Sequence, residues 1–271
     1  MTDYIEYKIQ LKDDAVKDIL IARLADAGAN GFEEEGSILK AFAAAGTDQS
    51  EFEKIIAESG LEYSQSLIPE RNWNAEWEAG FTPVTIGHFC TIRADFHAPD
   101  TQARYDIIIT PKMSFGTGHH ATTHLMIEAM EGLNFQGKQV FDFGTGTGIL
   151  SVIAEKCGAA GITAIDNDAW SIANATDNFN LNECRKILLF NQSGFDENSS
   201  YDIILANINR NIILQNLAGI KQHLSSDGVV LLSGLLSGDE AFMVAQARVH
   251  KLALRQQSAM NGWICLQLVN G

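Results

Sequence analysis

The sequence predicts an α/β domain with a mostly parallel sheet, preceded by a small α+β domain. Its 271 residues suffice for one large domain, or for a large and a small one, at roughly 150 residues per domain. The first part of the chain follows one pattern of strands and helices, and from about residue 85 strand-like and helical runs alternate. Such alternation is typical of a parallel sheet covered by helices on both faces. Hydrophobic residues make up 46% of the chain, which excludes a disordered or low-complexity protein.

Within residues 4–68, the alternating and helical spacing of apolar residues predicts six secondary-structure elements. They are, in order, strand 4–9, helix 13–27, strands 32–35 and 37–43, helix 48–59 and strand 63–68. The order β-α-β-β-α-β is that of a ferredoxin-like module. From Asp3 to Glu62 there are 14 acidic residues against 6 basic ones. Because this region also lacks a catalytic motif, the pattern favours a docking module.

Residues 68–84 predict a helical linker between the two domains. The linker holds Trp73 and Trp77, which are four positions apart and therefore share one face of a helix. We expect this aromatic face to pack on a neighbouring domain. The predicted division is a small domain at 1–67, the linker at 68–84 and a ligand-binding domain at 85–271.

The larger domain predicts repeated strand–helix units. In order, these are strand 140–143, helix 149–157, strand 162–165, helix 169–180, strands 187–190 and 203–206, helix 212–223, strand 229–232, helix 240–247 and strand 263–269. Ligands of such sheets bind outside the carboxyl ends of the strands. We therefore expect the functional side chains just after each strand.

A glycine-rich loop follows the first of these strands, in the segment V-F-D-F-G-T-G-T-G at 140–148. Alternating glycines allow a sharp turn and a close approach of ligand to backbone, and the next helix directs free N–H groups into the same space. The loop is not a P-loop, and Ile149 stands where a dinucleotide fingerprint needs its third glycine. Asp142, two residues before Gly144, would repel a pyrophosphate but suits a cationic ligand such as S-adenosylmethionine.

Two further strand ends carry polar side chains. Asp166 ends the second strand, where a carboxylate accepts hydrogen bonds from the ribose hydroxyls of a nucleoside. Asp168 is expected to cap the helix that follows. Asn207 ends the strand at 203–206, where its side chain would lie beside a transferring methyl group.

A second glycine-rich segment, F-G-T-G-H-H-A-T-T-H at 115–124, leads into a helix. His120 and His124 are four positions apart, a spacing that allows a shared metal ion. No carboxylate or cysteine completes a metal site at helical spacing, so no metal is predicted. We expect the segment to fold over the cofactor, with Thr123 offering its hydroxyl.

The overall charge and the cysteines limit the partners and the compartment. The formal net charge of −15 disfavours a protein that grips nucleic acid through phosphates, and it suits solubility or a basic protein partner. The four cysteines lack zinc-site spacing, as expected for reduced thiols of a cytosolic protein. The N-terminus has no signal-peptide pattern, and no apolar run approaches the roughly 18 residues of a membrane span. The expectation is a cytoplasmic monomer without membrane contact.

Together these segments resemble the class I S-adenosylmethionine-dependent methyltransferases. More narrowly, they resemble the family that methylates the eleventh protein of the bacterial large ribosomal subunit. The family pattern F-G-T-G-x-H-x-T-T is matched at 115–123, and D-F-G-x-G-x-G-I-L at 142–150. The N-I segment falls on Asn207-Ile208, and W-x-x-x-W on Trp73 and Trp77. The first pattern is the specific one, and the resemblance covers most of the chain.

This resemblance implies a Rossmann-like catalytic domain that binds S-adenosylmethionine through Thr123, Gly144, Asp166 and Asn207. It also implies that the small domain recognises the substrate, a basic ribosomal protein. The reaction implied is methyl transfer to lysine or N-terminal amines. We expect Asn207 near the nucleophile and no dedicated general base. Deprotonating a lysine at pH 7 costs about 4.6 kcal/mol, which a dry pocket can supply in part by lowering the lysine pKa.

Three alternatives stay open at this point. A nucleotide-dependent oxidoreductase would use the same kind of sheet, although the third glycine and a hydride partner are missing. A non-catalytic ribosome-associated factor could retain a methyltransferase fold. A glutamine-directed methyltransferase would carry the motif N-P-P-Y at the end of its fourth strand. The segment N-I-N-R at 207–210 does not match that motif.

Overall fold

The computed structural model describes residues 4–11, 14–46, 48–68, 81–110, 116–196 and 199–271. The chain divides into two compact units, Met1–Gly80 and Phe81–Gly271. The predicted linker helix, with its two tryptophans, falls almost wholly outside the described residues, and the predicted domain boundaries stay a prediction. Among the helices described, none is both long and apolar enough to cross a membrane.

The smaller unit has the element order β-α-β-β-α-β that the sequence predicts. Its elements are β1 (Tyr4–Gln10), α1 (Asp14–Asp26), β2 (Gly31–Glu35), β3 (Ile38–Ala44), α2 (Gln49–Ser59) and β4 (Tyr63–Ile68). The strands form one antiparallel sheet in the order β2-β3-β1-β4. Leu24 of α1 and Phe52 of α2 are fully buried in the core formed with this sheet. The classification of this unit as ferredoxin-like stays a prediction.

The larger unit contains strands β5–β14 and helices α3–α7. In chain order they are β5 (Val84–Ile86), β6 (Cys90–Arg93), β7 (Tyr105–Ile108), α3 (Ala121–Glu131), β8 (Gln139–Phe143), α4 (Ile149–Lys156), β9 (Gly161–Asp166), α5 (Ala169–Leu181), β10 (Ile187–Asn191), β11 (Tyr201–Asn207), α6 (Arg210–His223), β12 (Leu224–Leu236), α7 (Glu240–Val249), β13 (Leu252–Met260) and β14 (Trp263–Asn270). A single 3₁₀ turn, Ser237–Asp239, precedes α7 among the elements described.

Seven of these strands form the central sheet, in the order β10-β9-β8-β11-β12-β14-β13. The pairs from β10 to β12 are parallel, and β14 runs antiparallel to both of its neighbours. The mostly parallel α/β sheet that the sequence predicts is thus confirmed. The strand order reverses at β8, because β9 lies on one side of it and β11 on the other. A crevice opens at such a reversal, outside the carboxyl ends of the strands.

Both faces of the central sheet are covered by apolar side chains. Neighbouring residues on a strand point to opposite faces, so Val140 joins one buried cluster and Phe141 the other. Helices α3, α4 and α5 contribute to the first cluster, and α6 and α7 contribute to the second. This double burial explains why the strands of the sheet have near-continuous apolar sequences.

The sequence pattern missed four strands. β5, β6 and β7 form a separate three-stranded sheet, and β13 lies at the edge of the central sheet. β6 spans only four residues, C-T-I-R, too few for a sequence pattern to stand out, and all four are buried. In β13, polar side chains such as Gln256 and Gln257 remain exposed on the sheet edge, and this hides the strand from a search for apolar runs. Arg93 of β6 is buried and makes a bidentate ion pair with Asp106 of β7.

Asn178 of α5 and the C-cap residue Asn182 bind the backbone at the end of β7 and just beyond it. Asn182 accepts a hydrogen bond from Ile108 N at 3.0 Å and donates one to Ile108 O at 2.6 Å. One helical turn earlier, Asn178 accepts from Thr110 N at 2.7 Å and donates to Thr147 O at 2.8 Å. These amides therefore connect the small sheet to the glycine-rich loop after β8.

Candidate functional site

A cavity of about 430 Å³ lies at the carboxyl ends of β8, β9 and β11. Its wall includes Gly144 after β8, Asp166 at the end of β9 and Asn207 at the end of β11. Parallel strands end on the same side of a sheet, so three residues far apart in sequence meet there. The other two predicted site residues, Thr123 and Asp142, are fully buried and do not line the cavity.

Two positions of the glycine-rich loop after β8 have no room for a side chain. The φ angle of Gly144 is +74°. A Cβ atom at this position would lie 2.3 Å from Cγ2 of Ile208, another residue of the cavity wall. Gly148 has φ +79°, and its Cβ would lie 2.4 Å from the ring of Phe179. Positive φ angles favour glycine, and the contacts leave no room for a larger residue. The loop therefore presents bare backbone to the cavity.

Asp166 fastens the glycine-rich loop as well as facing the cavity. Its Oδ2 accepts a hydrogen bond from Gly146 N at 2.9 Å, and its Oδ1 accepts one from Asp168 N at 3.0 Å. Backbone donors thus hold the carboxylate in one orientation, and each oxygen keeps further acceptor capacity. Asp168 caps α5 as predicted, since its carboxylate accepts from Trp170 N and Ser171 N.

Asp142 lies beneath the loop. Its Oδ2 accepts hydrogen bonds from Thr145 Oγ1 and Ser151 Oγ, both at 2.7 Å. Its Oδ1 is buried without a hydrogen-bond partner among the described residues. Burial is the largest cause of a raised pKa, which reaches about 6 for this carboxyl group. A carboxylate with an unsatisfied oxygen close to the cavity favours a ligand that carries positive charge.

The side chain of Asn207 is hydrogen-bonded to the side chain of Thr123. The Asn207 Nδ2 group donates a hydrogen bond to Thr123 Oγ1 at 3.3 Å, across 84 positions of sequence. Thr123 lies in the first turn of α3 and has no exposed surface. Asn207 Oδ1 is buried and has no hydrogen-bond partner in the part of the chain that the structure describes. The site thus has a second unsatisfied acceptor.

Several cavity residues escaped the sequence analysis. Trp263 opens β14, and its ring meets the ring of His120 edge-on, with centroids 4.9 Å apart. Both residues line the cavity. His120 also caps α3, because its Nδ1 accepts from Thr122 N at 3.3 Å. The antiparallel pairing of β14 with β12 and with β13 brings Trp263 to this place, and no local motif indicates it.

The histidine pair in the second glycine-rich segment has separate contacts. His124 Nε2 lies 3.4 Å from a carboxylate oxygen of Glu128, whereas His120 turns toward the cavity. Within the described ranges, no group of three or more His, Cys, Asp or Glu residues is placed to hold a metal ion.

The donor set fits a nucleoside that bears a positive charge. Asp166 offers acceptors for ribose hydroxyls, and the bare loop between Gly144 and Gly148 allows close approach. The unsatisfied Oδ1 of Asp142 adds a negative group next to this loop. A diphosphate would meet two carboxylates here, which costs affinity through like-charge repulsion.

Comparison with known proteins points to one family. The family model for ribosomal protein L11 methyltransferase (PrmA) matches residues 6–270. A protein of that name from Porphyromonas gingivalis is 35% identical over 280 aligned positions, with 97% of each chain covered. Its namesake from Chlorobaculum parvum is 37% identical, with 89% of this chain and 88% of the relative covered.

A solved structure points to the same family. The ribosomal protein L11 methylase of Lactobacillus delbrueckii subsp. bulgaricus superposes with a TM-score of 0.66 at 26% identity, over 70% of this chain and 99% of that one. The family model alone spans nearly the whole sequence, and two full-length relatives exceed 30% identity. This chain therefore belongs to the ribosomal protein L11 methyltransferase family.

Proposed function

We propose that this chain transfers methyl groups from S-adenosylmethionine to amines of ribosomal protein L11, on lysine side chains, the α-amino group or both. The observation that carries this proposal is the meeting of Gly144, Asp166 and Asn207 on one cavity wall. The names of the relatives supply the substrate, since they describe methyltransferases that act on this ribosomal protein.

The residues that would hold the cofactor follow from the donor set. Asp166 would bind the ribose hydroxyls, the backbone between Gly144 and Gly148 would face the methionine part, and Asp142 would balance its positive charge. When bound, S-adenosylmethionine supplies a methyl group activated by an adjacent sulfonium. Because the leaving group is activated, the protein mainly has to position the amine and exclude water.

Asn207, at the end of β11 on the cavity wall, would orient the nucleophile. Its Oδ1 is buried without a hydrogen-bond partner among the described residues; a shift of this side chain on binding would let the oxygen accept from an amine N–H and leave the nitrogen lone pair free to attack. In the transfer the amine nitrogen forms the new N–C bond while the C–S bond breaks and its electron pair stays on sulfur. The extra proton on nitrogen then passes to water. An apolar surrounding lowers the pKa of the amine and so favours the neutral nucleophile.

Two titratable side chains on the cavity wall, Asp166 and His120, accept hydrogen bonds from the backbone. Both oxygens of Asp166 accept backbone hydrogen bonds. His120 Nδ1 accepts a hydrogen bond from Thr122 N and lies 2.8 Å from Thr122 Oγ1. Because backbone groups engage both side chains, we propose that the site works by positioning and without a dedicated general base.

The small unit supports a role in substrate recognition. Its acidic excess of 14 to 6 between Asp3 and Glu62 suits a basic partner. Glu33, Glu34 and Glu35 are exposed on β2. We assign the reaction to the cytoplasm, because all four cysteines are free thiols and reduced thiols are typical of that compartment.

The test is methylation of purified L11 by the purified chain, read by intact mass with and without S-adenosylmethionine. Stepwise gain of single methyl masses on L11 is the expected result. Titration calorimetry with S-adenosylmethionine and with NAD separates the alternatives. Binding of NAD alone would favour the oxidoreductase, and binding of S-adenosylmethionine without methylation would favour a non-catalytic factor.

A further inference from the structure

We propose that Asp239 is a specificity-determining residue that binds a basic side chain of the substrate beside the target amine. Asp239 ends the 3₁₀ turn after β12 and forms an ion pair with Arg210, the first residue of α6. The substrate class that it would select is a polypeptide with a lysine or arginine next to the methylated amine. The inference rests on the proposed methylation of L11.

The cavity has a cofactor side and a substrate side, because its wall follows the strand order β9-β8-β11-β12-β14. A cofactor bound by Asp166 and by the loop at Gly144 would occupy the part outside β9 and β8. The part that remains is lined by Asn207 at the end of β11, Gly234 of β12 and Trp263 of β14. The target amine would therefore enter at this end of the cavity.

The ion pair between Arg210 and Asp239 lies beside this substrate side. Arg210 directly follows Asn209, which lines the cavity, and Asp239 follows β12, whose Gly234 also lines it. β11 and β12 are neighbouring parallel strands. The pair therefore joins the loop after β11 to the turn after β12, at the edge of the sheet where the cavity opens.

The contact with Arg210 leaves Asp239 able to bind a second cation. Arg210 Nη1 donates to Asp239 Oδ1 at 2.5 Å, and Oδ2 has no hydrogen-bond partner among the described residues. Arginine and carboxylate groups often bind through two parallel contacts, which is the stronger arrangement. Because each carboxylate oxygen can accept more than one hydrogen bond, Oδ2 is left for an N–H donor of the substrate.

Arg210 is held at an unfavourable place for a positive charge. It is the first residue of α6, directly after the cap residue Asn209, and the helix dipole disfavours cations at this end. The side chain of Arg210 is 45% exposed, whereas that of Asp239 is 19% exposed. The guanidinium can therefore turn into solvent when a substrate cation arrives, while the carboxylate stays at the entrance.

The experiment compares KM for L11 in wild type, Asp239→Asn, Asp239→Glu and Arg210→Gln. Asp239→Asn should raise KM about two- to fivefold at low ionic strength, the range for an exposed ion pair, with a smaller change in kcat. Asp239→Glu keeps the charge and should restore most of this loss. Arg210→Gln frees the carboxylate and should lower KM, whereas a pair that only supports the fold would give a rise in both variants.

A matched control is Asp202→Asn. Asp202 forms an ion pair with Lys138 at 3.2 Å, and their side chains are 30% and 40% exposed. Lys138 directly precedes β8 and Asp202 is the second residue of β11, so this pair lies at the opposite edge of the sheet from the cavity. The variant changes the net charge by the same amount as Asp239→Asn and should keep KM for L11. The dissociation constant for S-adenosylmethionine, from calorimetry, should stay within about threefold of wild type in every variant.

Substrate variants separate a direct contact from a general effect of charge. Mass mapping locates the methylated amines of L11, and the basic side chains nearest to each are then changed to glutamine one at a time. One of these changes should raise KM for wild type but cause no further rise for Asp239→Asn, as expected for two residues in contact. Effects that add in every combination would overturn the inference.

The outcomes distinguish the two proposals. Failure of wild type to methylate L11 contradicts the proposed function. Methylation by wild type together with an unchanged KM in Asp239→Asn contradicts only the role of Asp239, and so do equal rises of KM in Asp239→Asn and Arg210→Gln.

Discussion

The backbone N–H of Gly146 donates a hydrogen bond to Asp166 Oδ2 at 2.9 Å, and this bond fastens the glycine-rich loop after β8 to the end of β9. Two more bonds run the same way, since Gly144 N and Thr145 N both donate to Ile165 O at 2.9 Å. The loop that faces the cavity thus has its shape set by the neighbouring strand, and the carboxylate of Asp166 serves both the loop and the ligand.

Replacing Asp166 by alanine should therefore weaken cofactor binding for two reasons. The variant loses the acceptor for the ribose and the acceptor that shapes the loop. Hydrogen bonds to a charged group contribute about 1.5–3 kcal/mol each, so the dissociation constant for S-adenosylmethionine should rise by at least about tenfold. Calorimetry measures it. Asp168→Ala is the control, because that side chain only caps α5. An equal loss of affinity in both variants would contradict the role of Asp166.

Gly144→Ala should block the cavity, and Gly137→Ala separates this effect from backbone strain. The two glycines have φ angles of +74° and +72°. A Cβ at 144 would meet Ile208 Cγ2 at 2.3 Å, whereas a Cβ at 137 has no atom within 4 Å. Both variants should lose about 1 kcal/mol of stability from strain, but only Gly144→Ala should lose S-adenosylmethionine binding. Thermal unfolding and calorimetry test this, and normal cofactor affinity in Gly144→Ala would refute it.

Asp142→Asn should stabilise the free protein at neutral pH. The folded-state pKa of about 6 lies above the ordinary value of 3.8, so the folded chain binds more protons between these two pH values. Its contribution to stability falls as the pH rises from about 4 to about 6, by about 3 kcal/mol in total. The neutral amide avoids this loss.

The Asp142→Asn variant should therefore have a higher Tm than wild type at pH 7, and the gap should close near pH 4. The same variant should bind the cationic cofactor less tightly, since the charge that balances it is gone. Asp95→Asn, at an exposed position, serves as a control with little change. A lower Tm for Asp142→Asn at pH 7 would show that the buried charge is better compensated than its contacts indicate.

Reversing the charge of Glu33 and Glu35 should weaken the binding of L11. Both are exposed on β2, and both lie near Lys40, at 3.9 Å and 2.7 Å. Lysines at 33 and 35 would repel Lys40 and a basic substrate. KM for L11 should rise, more so at low ionic strength because salt screens surface charges, and cofactor affinity should stay constant. Glu131→Lys with Glu183→Lys, exposed in the larger unit, is the control. An unchanged KM would count against the docking role.

The sequence located the cavity residues that strand topology brings together. Gly144, Asp166 and Asn207 follow three strands, and parallel strands all end at one edge of the sheet, so reading the strand ends was enough. The full burial of Thr123 and Asp142 could not be read this way, because burial depends on packing between distant segments. Trp263 escaped for a related reason: its place on the cavity wall depends on the antiparallel pairing of β14 with β12 and β13.

The strands missed by the sequence show the limits of periodicity. β6 is only four residues long, and β13 carries four consecutive polar residues at 255–258, so neither shows the sustained alternation of a half-buried strand. The acidic character of the small unit was visible in the sequence. The ion pairs of Glu33 and Glu35 with Lys40 could not be predicted, because they depend on the register in which β2 pairs with β3.

The asparagine pair of α5 has a consequence for the solubility of the chain. β7 is an edge strand of the small sheet, and an edge with free N–H and C=O groups invites pairing with another chain. One helical turn of four residues rises about 6 Å, nearly the length of two residues in a strand, so Asn178 and Asn182 match Thr110 and Ile108 in register. The two side chains thereby occupy backbone groups at this end of the edge that a strand of another chain would otherwise pair with.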